Sequence, residues 1–197
     1  MSSPFEALDQ VDSELEARLR ARLIEVAEEQ GILDLTYETV ETPLGALLLV
    51  ATPEGLVRVA YEREGHESVL ERLADAVSPR ILHTPRRLDR ARHQIDEYFA
   101  GKRRHFELDL DLRLSKGFRR LVLGRLLNIE YGYTRSYAEV AADSGSPRAV
   151  RAVGTACATN PLPVVLPCHR VVRSDGKPGE YVGGQEAKQK LLALESH

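Results

Sequence analysis

Cysteine is scarce in this sequence: Cys157 and Cys168 are its two thiols, far too few for the disulfide framework of a small secreted domain. The same count excludes zinc sites built from cysteine pairs, which need more thiols than are present. No apolar run approaches the roughly 20 residues needed to span a bilayer, so a membrane helix is excluded. The opening Met1-Ser2-Ser3-Pro4 is not the basic start of a secretory signal, and a cytoplasmic location is the resulting expectation. Internal repeats and low-complexity stretches are absent. What is present is 43% hydrophobic and 29% charged over 197 residues, the composition of an ordinary globular protein with room for one domain or two small lobes.

The formal net charge of −3 hides an uneven distribution. Residues 1–112 hold 14 Lys and Arg against 23 Asp and Glu, a net of −9, whereas residues 113–177 hold 11 against 4, a net of +7. A basic segment of that kind points to a polyanionic partner, although a solvated charged face gives the same count.

Hydrophobic spacing predicts an amphipathic helix over residues 5–31, with Leu15, Leu19, Leu23 and Val26 in register and Gly31 as its stop. Three short apolar runs follow, Leu35 to Glu41, Ala46 to Ala51 and Leu56 to Tyr61. Pro- and Gly-bearing breaks separate them, so an antiparallel meander is the simplest reading. Helices are expected around 66–77 and 86–100, the second with Leu88, Ile95 and Phe99 on one side. Phe106 to Leu112 alternates apolar and acidic residues, as a half-buried strand or an extended linker would. The composition changes there from acidic to basic, which sets the boundary between lobes near 101–114. In the second half, helices are expected from Lys116 to Leu127 and from Tyr137 to Asp143. Ser146 is then suited to capping, and Pro147 to the first position, of a helix from Arg148 to about Ala158. That helix would carry Val150, Val153 and Cys157 on one face and small residues elsewhere. The pair reads equally as a helix-turn-helix or as a core helical hairpin.

The segment richest in chemistry is Asn160 to Val172, where strand-like apolar residues deliver Pro167-Cys168-His169-Arg170-Val171. A thiol beside basic groups can be shifted toward thiolate, the form that attacks carbon. On an extended chain, however, adjacent side chains point to opposite sides. A buried cysteine with a surface histidine is the plain alternative.

Around this run the chain resembles the O6-alkylguanine-DNA alkyltransferases, also called methylated-DNA–protein-cysteine methyltransferases. Pro167 to Val171 matches their hallmark. Further matches are Phe118, Tyr131-Gly132, Thr134 to Tyr137, Arg148 to Gly154, Asn160-Pro161, Gly179, Tyr181, Gly183-Gly184, Lys188, Leu191-Leu192 and Glu195. The resemblance implies an α/β (α+β) fold: a ribonuclease H-like α/β lobe at 34–105, a linker at 106–114, and a winged helix-turn-helix lobe at 115–197 carrying the reactive cysteine. Residues 1–33 are left as a helical extension. It further implies direct-reversal DNA repair, in which one alkyl group moves irreversibly from O6-alkylguanine to Cys168. His169, a water and Glu195 would form the proton relay, Asn160 would brace the active-site turn, and Arg170 would be structural. Tyr137 would donate to the departing guanine. Tyr181, Val171, Val182 and Gly183 would line the base pocket. Arg151 would fill the space left by the flipped nucleotide, beside Arg135, Ser136, Arg148, Ala149, Ala152 and Thr155 at the minor groove of duplex DNA.

Several positions depart from the family pattern. Leu123 stands where tryptophan is common, and Asn128 and Glu130 lie in a segment that often reads Ile-Pro-Tyr-Gly. Val182 replaces a serine or another small residue, which touches alkyl-size preference. Residues 1–156 contain no cysteine, so the zinc ligands of some relatives have no counterpart; no metal and no cofactor are expected. A monomer is expected, with self-association on DNA left open. Three other classes compete. A noncatalytic lesion binder of the same fold would lack Cys168, a winged-helix regulator leaves Cys168, His169 and Glu195 unexplained, and a cysteine hydrolase would turn over.

Overall fold

The computed structural model describes residues 15, 18, 19, 21–27 and 30–196. Of the N-terminal helix expected over 5–31, the described residues 15, 18, 19 and 21–27 are helical, residues 30 and 31 form a turn, and the rest lies outside the described residues. Leu15, Leu19 and Leu23 are exposed there, and Ala27 is the buried contact.

The meander forms as read. Strands β1 (Leu35–Val40), β2 (Leu47–Thr52) and β3 (Gly55–Tyr61) pair antiparallel in sequence order. Successive side chains alternate between faces. Leu47, Leu49 and Val59 enter one core and Leu48, Val50, Val57 and Ala60 another, with Val57 and Val59 on opposite faces because the register of β2 and β3 shifts beside them. Burial on both faces explains why β2 and β3 read as nearly unbroken apolar runs. Helix α1 (His66–Ala76) covers the second face with Val69 and Leu73, and helix α2 (Pro85–Phe99) packs Leu88, Ala91, Ile95 and Tyr98 into the first. The inward residue near the end of α2 is thus Tyr98, with Phe99 only half-buried. A fourth strand, β4 (Ile81–His83), adds parallel to β1 and gives the order β3-β2-β1-β4. Three residues carry no periodic signal, and sequence reading passes over it.

Phe106 to Leu112 forms no strand. It runs extended across the start of β3, with Leu56 N–H donating to Asp109 O at 2.8 Å and Asp111 N–H to Leu56 O at 2.9 Å. Its apolar residues pack on the main core. Asp111 breaks the alternation because its carboxylate is buried against the Thr52 hydroxyl, 2.7 Å away, and the Arg113 guanidinium, 2.5 Å away. Gly55 makes the crossing possible: a Cβ there would lie 2.3 Å from Asp109 O.

Helices α3 (Gly117–Leu126), α4 (Tyr137–Asp143) and α5 (Val150–Ala158) pack on one another in the second half. Helix α4 ends in a Schellman arrangement, with Gly145 at φ 74° and Ser146 N–H reaching Ala141 O at 3.0 Å. Two expectations fail at the next step. Helix α5 starts at Val150 with Ala149 as its N-cap, because Ala149 N–H bonds to Ser146 O at 2.8 Å and closes a separate turn that uses Pro147 and Arg148 as its corner. Proline's fixed φ suits such a corner as well as it suits a helix start. Val150 accordingly lies exposed, and Val153, Ala156 and Cys157 form the buried face.

A two-residue strand, β5 (Arg135–Ser136), pairs parallel with β6 (Val171–Val172), and residues 172–178 turn back as a hairpin. Helix α6 (Gln185–Glu195) closes the described chain. The buried residues of α3, α5 and the segment 162–171 belong to the same apolar cluster as one face of the first sheet, so the two halves share a core. Among the described residues no helix is long and apolar enough to cross a membrane.

Candidate active site

The segment expected to be strand-like is a tight, buried turn. Leu166 N–H bonds back to Leu162 O at 2.7 Å, and Val164 adopts φ 72°. A β-branched residue rarely enters that left-handed region, so the turn stores strain. Asn160, 1% exposed, holds it from inside: its Oδ1 accepts from Leu162 N–H at 3.0 Å and its Nδ2 donates to Leu166 O at 2.9 Å. The turn delivers Cys168 not on an extended strand but at the start of a single 3-10 turn, Cys168–Arg170. Three consecutive side chains thereby fan around one axis, and all three are buried.

Asn160 has a further contact. Its Nδ2 lies 3.1 Å from Cys168 Sγ and donates to it. Burial pushes the Cys168 thiol up to about 11, while the Asn160 hydrogen bond and the positive charge of Lys188 act in the opposite direction. Lys188 is fully buried on α6, with its ammonium donating to Val171 O at 2.6 Å. Burial lowers its own pKa, and the Cys168 and Cys157 sulfurs offset part of that loss. A resting thiol with a nearby cation is a neutral store from which a thiolate can be drawn.

Behind the cysteine lies a closed ionic network. His169 Nε2 is 2.8 Å from Glu195 Oε1, Arg170 Nε is 2.8 Å from Glu195 Oε2, and Arg170 Nη2 is 2.9 Å from Oε1. Burial alone would raise the Glu195 pKa, yet the donors on His169, Arg170 and Tyr98 hold it at about 2. Glu195 is therefore a fixed carboxylate. Burial pushes His169 the other way, toward its neutral form, against the pull of Glu195. A neutral imidazole facing a carboxylate puts its proton on the facing nitrogen. Nε2 then carries the hydrogen and Nδ1 carries the lone pair. Nδ1 is buried and, among the described residues, has no hydrogen-bond partner. The arrangement is a base oriented by a third group, the logic of hydrolytic triads.

Glu195 would fray so near the end of α6 were it not held. Besides its ion pairs, the Tyr131 hydroxyl donates to Leu194 O at 3.1 Å. A Cβ at Gly132 would come within 2.9 Å of Glu195 O, which gives the Tyr131-Gly132 pair a packing reason.

Around the sulfur stand two aromatic residues. Tyr181 is buried, edge-on to the His169 ring with centroids 6.3 Å apart, and its hydroxyl lies 3.0 Å from that of Tyr61. Tyr137 is half-buried; burial pushes its phenol up to about 12, and Lys188 Nζ lies 5.8 Å from the centre of its ring. Gly179 leaves the space the Tyr137 hydroxyl occupies, since a Cβ there would lie 2.5 Å from it. Val171 is buried beside the cysteine turn, and Val182 and Gly183 are half-buried in the loop after Tyr181. Asn160 is thus hydrogen-bonded to Cys168, and Glu195 to the His169 that follows it, with Tyr181 against the imidazole.

The other expected residues form a separate, exposed surface. Arg151, Ala152 and Thr155 lie on the outer face of α5, and Arg148 and the half-buried Ala149 precede it. A Cβ at Gly154 would meet nothing within 4 Å. A mid-helix glycine costs about 1 kcal/mol relative to alanine, and internal packing gives no reason for it here. Ser136 is occupied as the N-cap of α4, its hydroxyl accepting from Glu139 N–H at 3.2 Å while the Glu139 carboxylate accepts from Ser136 N–H at 2.7 Å. Arg135 is 3.5 Å from Glu139. Among the described residues no group of three or more His, Cys, Asp and Glu side chains could hold a metal ion.

Two families of sequence model match. Residues 35–112 fit the 6-O-methylguanine DNA methyltransferase, ribonuclease-like domain, and residues 117–197 fit the 6-O-methylguanine DNA methyltransferase, DNA binding domain. The chain belongs to the 6-O-methylguanine DNA methyltransferase family. A methylated-DNA–protein-cysteine methyltransferase of Mycolicibacterium paratuberculosis is 40% identical over 161 residues, covering 82% of this chain and 92% of that protein. The crystal structure of the Mycobacterium tuberculosis O6-methylguanine methyltransferase superposes with a TM-score of 0.73 at 36% identity, covering 82% of this chain and 93% of that one. The Mycobacterium tuberculosis OGT solved in complex with DNA gives a TM-score of 0.71 at 36% identity, over 82% and 92% of the two chains.

Sequence reasoning missed three residues that reach this centre. Lys188 was a motif letter without a role, although its spacing with Leu191 and Glu195 sets it on the inner face of α6, where a lysine needs a reason. Tyr98 and Tyr61 come from the first half of the chain, and no local pattern connects them to Cys168.

Proposed function

We propose that this protein repairs alkylated DNA by direct reversal, taking the alkyl group of O6-alkylguanine onto Cys168 in a single irreversible turnover. The observation that carries this reading is the His169–Glu195 contact of 2.8 Å, which leaves the buried Nδ1 as a bare base in the residue after the cysteine.

The chemistry follows from these groups. A water bridging Cys168 and His169 Nδ1 passes the thiol proton to the imidazole, and the imidazolium so formed is stabilised by Glu195. The thiolate, held by the Asn160 amide and the Lys188 charge, attacks the alkyl carbon. The S–C bond forms as the C–O6 bond breaks, and the electron pair leaves with the guanine oxygen. Tyr137 donates a hydrogen bond to the base as negative charge develops, and the proton held by the His169 imidazolium passes back through water to the guanine anion, leaving neutral guanine and neutral His169. Nothing in the site returns the thioether to a thiol, so the protein is consumed mole for mole.

A carbon on a base inside a duplex is out of reach, so the nucleotide must first be flipped out. In this reading Tyr181, Val171, Val182 and Gly183 line the base pocket. Arg151 enters the vacated stack while the small residues of α5 admit the minor groove, with Arg135, Ser136, Arg148, Ala149, Ala152 and Thr155 at its edges. The net +7 of residues 113–177 supplies sequence-independent, salt-sensitive attraction to phosphates. The proposed division assigns DNA binding and transfer to 115–197, scaffolding to 34–105, the connection to 106–114 and an extension to 1–33. The protein would act as a cytoplasmic monomer.

The test is intact-protein mass after mixing with a duplex bearing one O6-methylguanine. One methyl in place of one hydrogen, mapped to Cys168, saturating at one equivalent and absent in Cys168→Ala, is the expected result. Tight binding to the lesion without any mass gain would overturn it in favour of a damage sensor.

A further inference from the structure

Glu195 Oε1 accepts from a third group besides His169 and Arg170. Tyr98, fully buried near the end of α2 in the first half of the chain, donates its hydroxyl to Glu195 Oε1 at 2.6 Å. The Tyr98 hydroxyl oxygen lies 3.5 Å from His169 Nε2, too far to compete with the carboxylate for that hydrogen. Packing accounts for the Tyr98 ring, whose centroid is 5.3 Å from that of Phe106 and 6.2 Å from that of Tyr131. Packing does not account for the hydroxyl, since a phenylalanine would fill the same space without a polar atom to desolvate. Oε1 is also crowded: it receives Tyr98, Arg170 Nη2 and His169, whereas Oε2 receives Arg170 Nε.

We propose that Tyr98 is a positioning residue of the proton relay: its hydroxyl, contributed by the first lobe, fixes the Glu195 carboxylate against His169 and sets how strong a base His169 is. The proposal rests on the transfer reading above and assigns the first lobe a direct part in it. Each hydrogen bond donated to Oε1 withdraws charge that would otherwise stabilise the histidine proton. Removing the Tyr98 donor concentrates that charge on His169, so the imidazole holds its proton to higher pH. The other groups acting on His169 are Arg170, Lys188 and Tyr181, with Tyr131 against the Tyr98 ring, and none of them changes in a Tyr98→Phe variant.

The experiment is the single-turnover rate of methyl transfer to saturating O6-methylguanine duplex, measured across pH for the parent protein and Tyr98→Phe. In Tyr98→Phe the acid limb, where the rate falls as His169 protonates, is expected to move to higher pH. Its plateau is expected to drop by about three- to tenfold, a fraction of the ~10²–10⁴ that a positioned base supplies, with DNA affinity unchanged. A ring that merely fills space would leave the limb in place, and an unmoved midpoint overturns the proposal whatever the plateau does. Should Tyr98→Phe fail to fold, 3-fluorotyrosine at position 98 keeps the shape and donates more strongly, so its limb must move to lower pH; an unmoved limb overturns the proposal there too. A parent protein that takes up no methyl group sinks the transfer reading and Tyr98's role with it, whereas a reacting parent with an immobile limb sinks Tyr98 alone.

Discussion

Two buried thiols sit eleven residues apart in this chain, and their surroundings differ in the one respect that separates an inert thiol from a nucleophile. Cys157 lies on the inner face of α5, 2% exposed, with no hydrogen bond to its sulfur among the described residues. Burial pushes its thiol far above the ordinary range, the nearby Cys168 sulfur adds to that, and Lys188 offsets a little. Cys168 is as deeply buried, yet it carries the Asn160 donor at 3.1 Å and stands beside an oriented histidine. Burial by itself makes a thiol quiet. Both sulfurs feel the Lys188 charge, but the Asn160 dipole acts on Cys168 alone, and so does the base in the proposed relay. The largest contrast follows: Cys168→Ala abolishes methyl uptake, and Cys157→Ala retains transfer within about twofold while losing up to ~1 kcal/mol of stability from one removed sulfur. Mass spectrometry with the lesion duplex reads the first and chemical denaturation the second; comparable losses of transfer from both substitutions would erase the comparison.

The second sharpening acts on the base. Glu195→Gln removes the carboxylate that faces His169 and Arg170, so transfer is expected to fall on the order of 10²-fold. Stability is expected to fall by about 3–5 kcal/mol, because the Arg170 charge is left buried without its partner. The sign of the pH effect is fixed. A carboxyl held at about 2 against an ordinary 4.5 stabilises the fold fully above 4.5, and that stability drains away as pH falls toward 2. Urea titrations between those values should show a steep acid loss in the parent protein that is much flatter in Glu195→Gln. Equal slopes would mean that Glu195 is not the group responsible.

A smaller effect comes from the cation. Lys188→Met keeps the length of the side chain, removes the charge that favours the Cys168 thiolate, and leaves Val171 O without its donor at 2.6 Å. One unit of pKa is 1.36 kcal/mol, so a rise of about one unit in the Cys168 thiol slows transfer by about tenfold without touching the exposed residues of α5 proposed to meet DNA. Transfer rates and DNA affinities measured side by side test this, and loss of affinity with an unchanged rate would contradict it.

The same contrast governs what could be read from the sequence. Elements with a periodic apolar pattern were legible: the meander, α1, α2, α3 and α4 fall within a residue or two of where spacing puts them. Cys168, His169, Asn160 and Glu195 were named from the family motif, not from geometry, and spacing gave no sign that residues 160 and 195 converge on residue 168. For the active-site segment composition predicts a strand, since Val164-Val165-Leu166 reads as one; the Asn160 side chain and burial override that propensity and hold Val164 at φ 72°. Tyr98 and Tyr61 were invisible for a different reason, since each lies in an ordinary apolar pattern and its hydroxyl meets a partner 97 or 120 residues away.

Methylation itself should break the balance at Cys168. The sulfur is 1% exposed and its near neighbour Asn160 is itself pinned to Leu162 and Leu166. A methyl added to Sγ must displace the amide that closes the strained turn at Val164, and that turn begins at the last residues of α5. Inserting one methyl group into a packed interior costs about 1–3 kcal/mol, and in a chain of this size each kcal/mol lowers Tm by about 2–4 °C. The reacted protein is therefore expected to melt several degrees below the parent, with amide exchange accelerated first in residues 160–166. Calorimetry on protein taken to one equivalent of methyl transfer and freed of DNA measures it. An unchanged Tm would mean that the cavity around Cys168 already has room for the methyl group, and that the Asn160 clamp is looser than its three hydrogen bonds indicate.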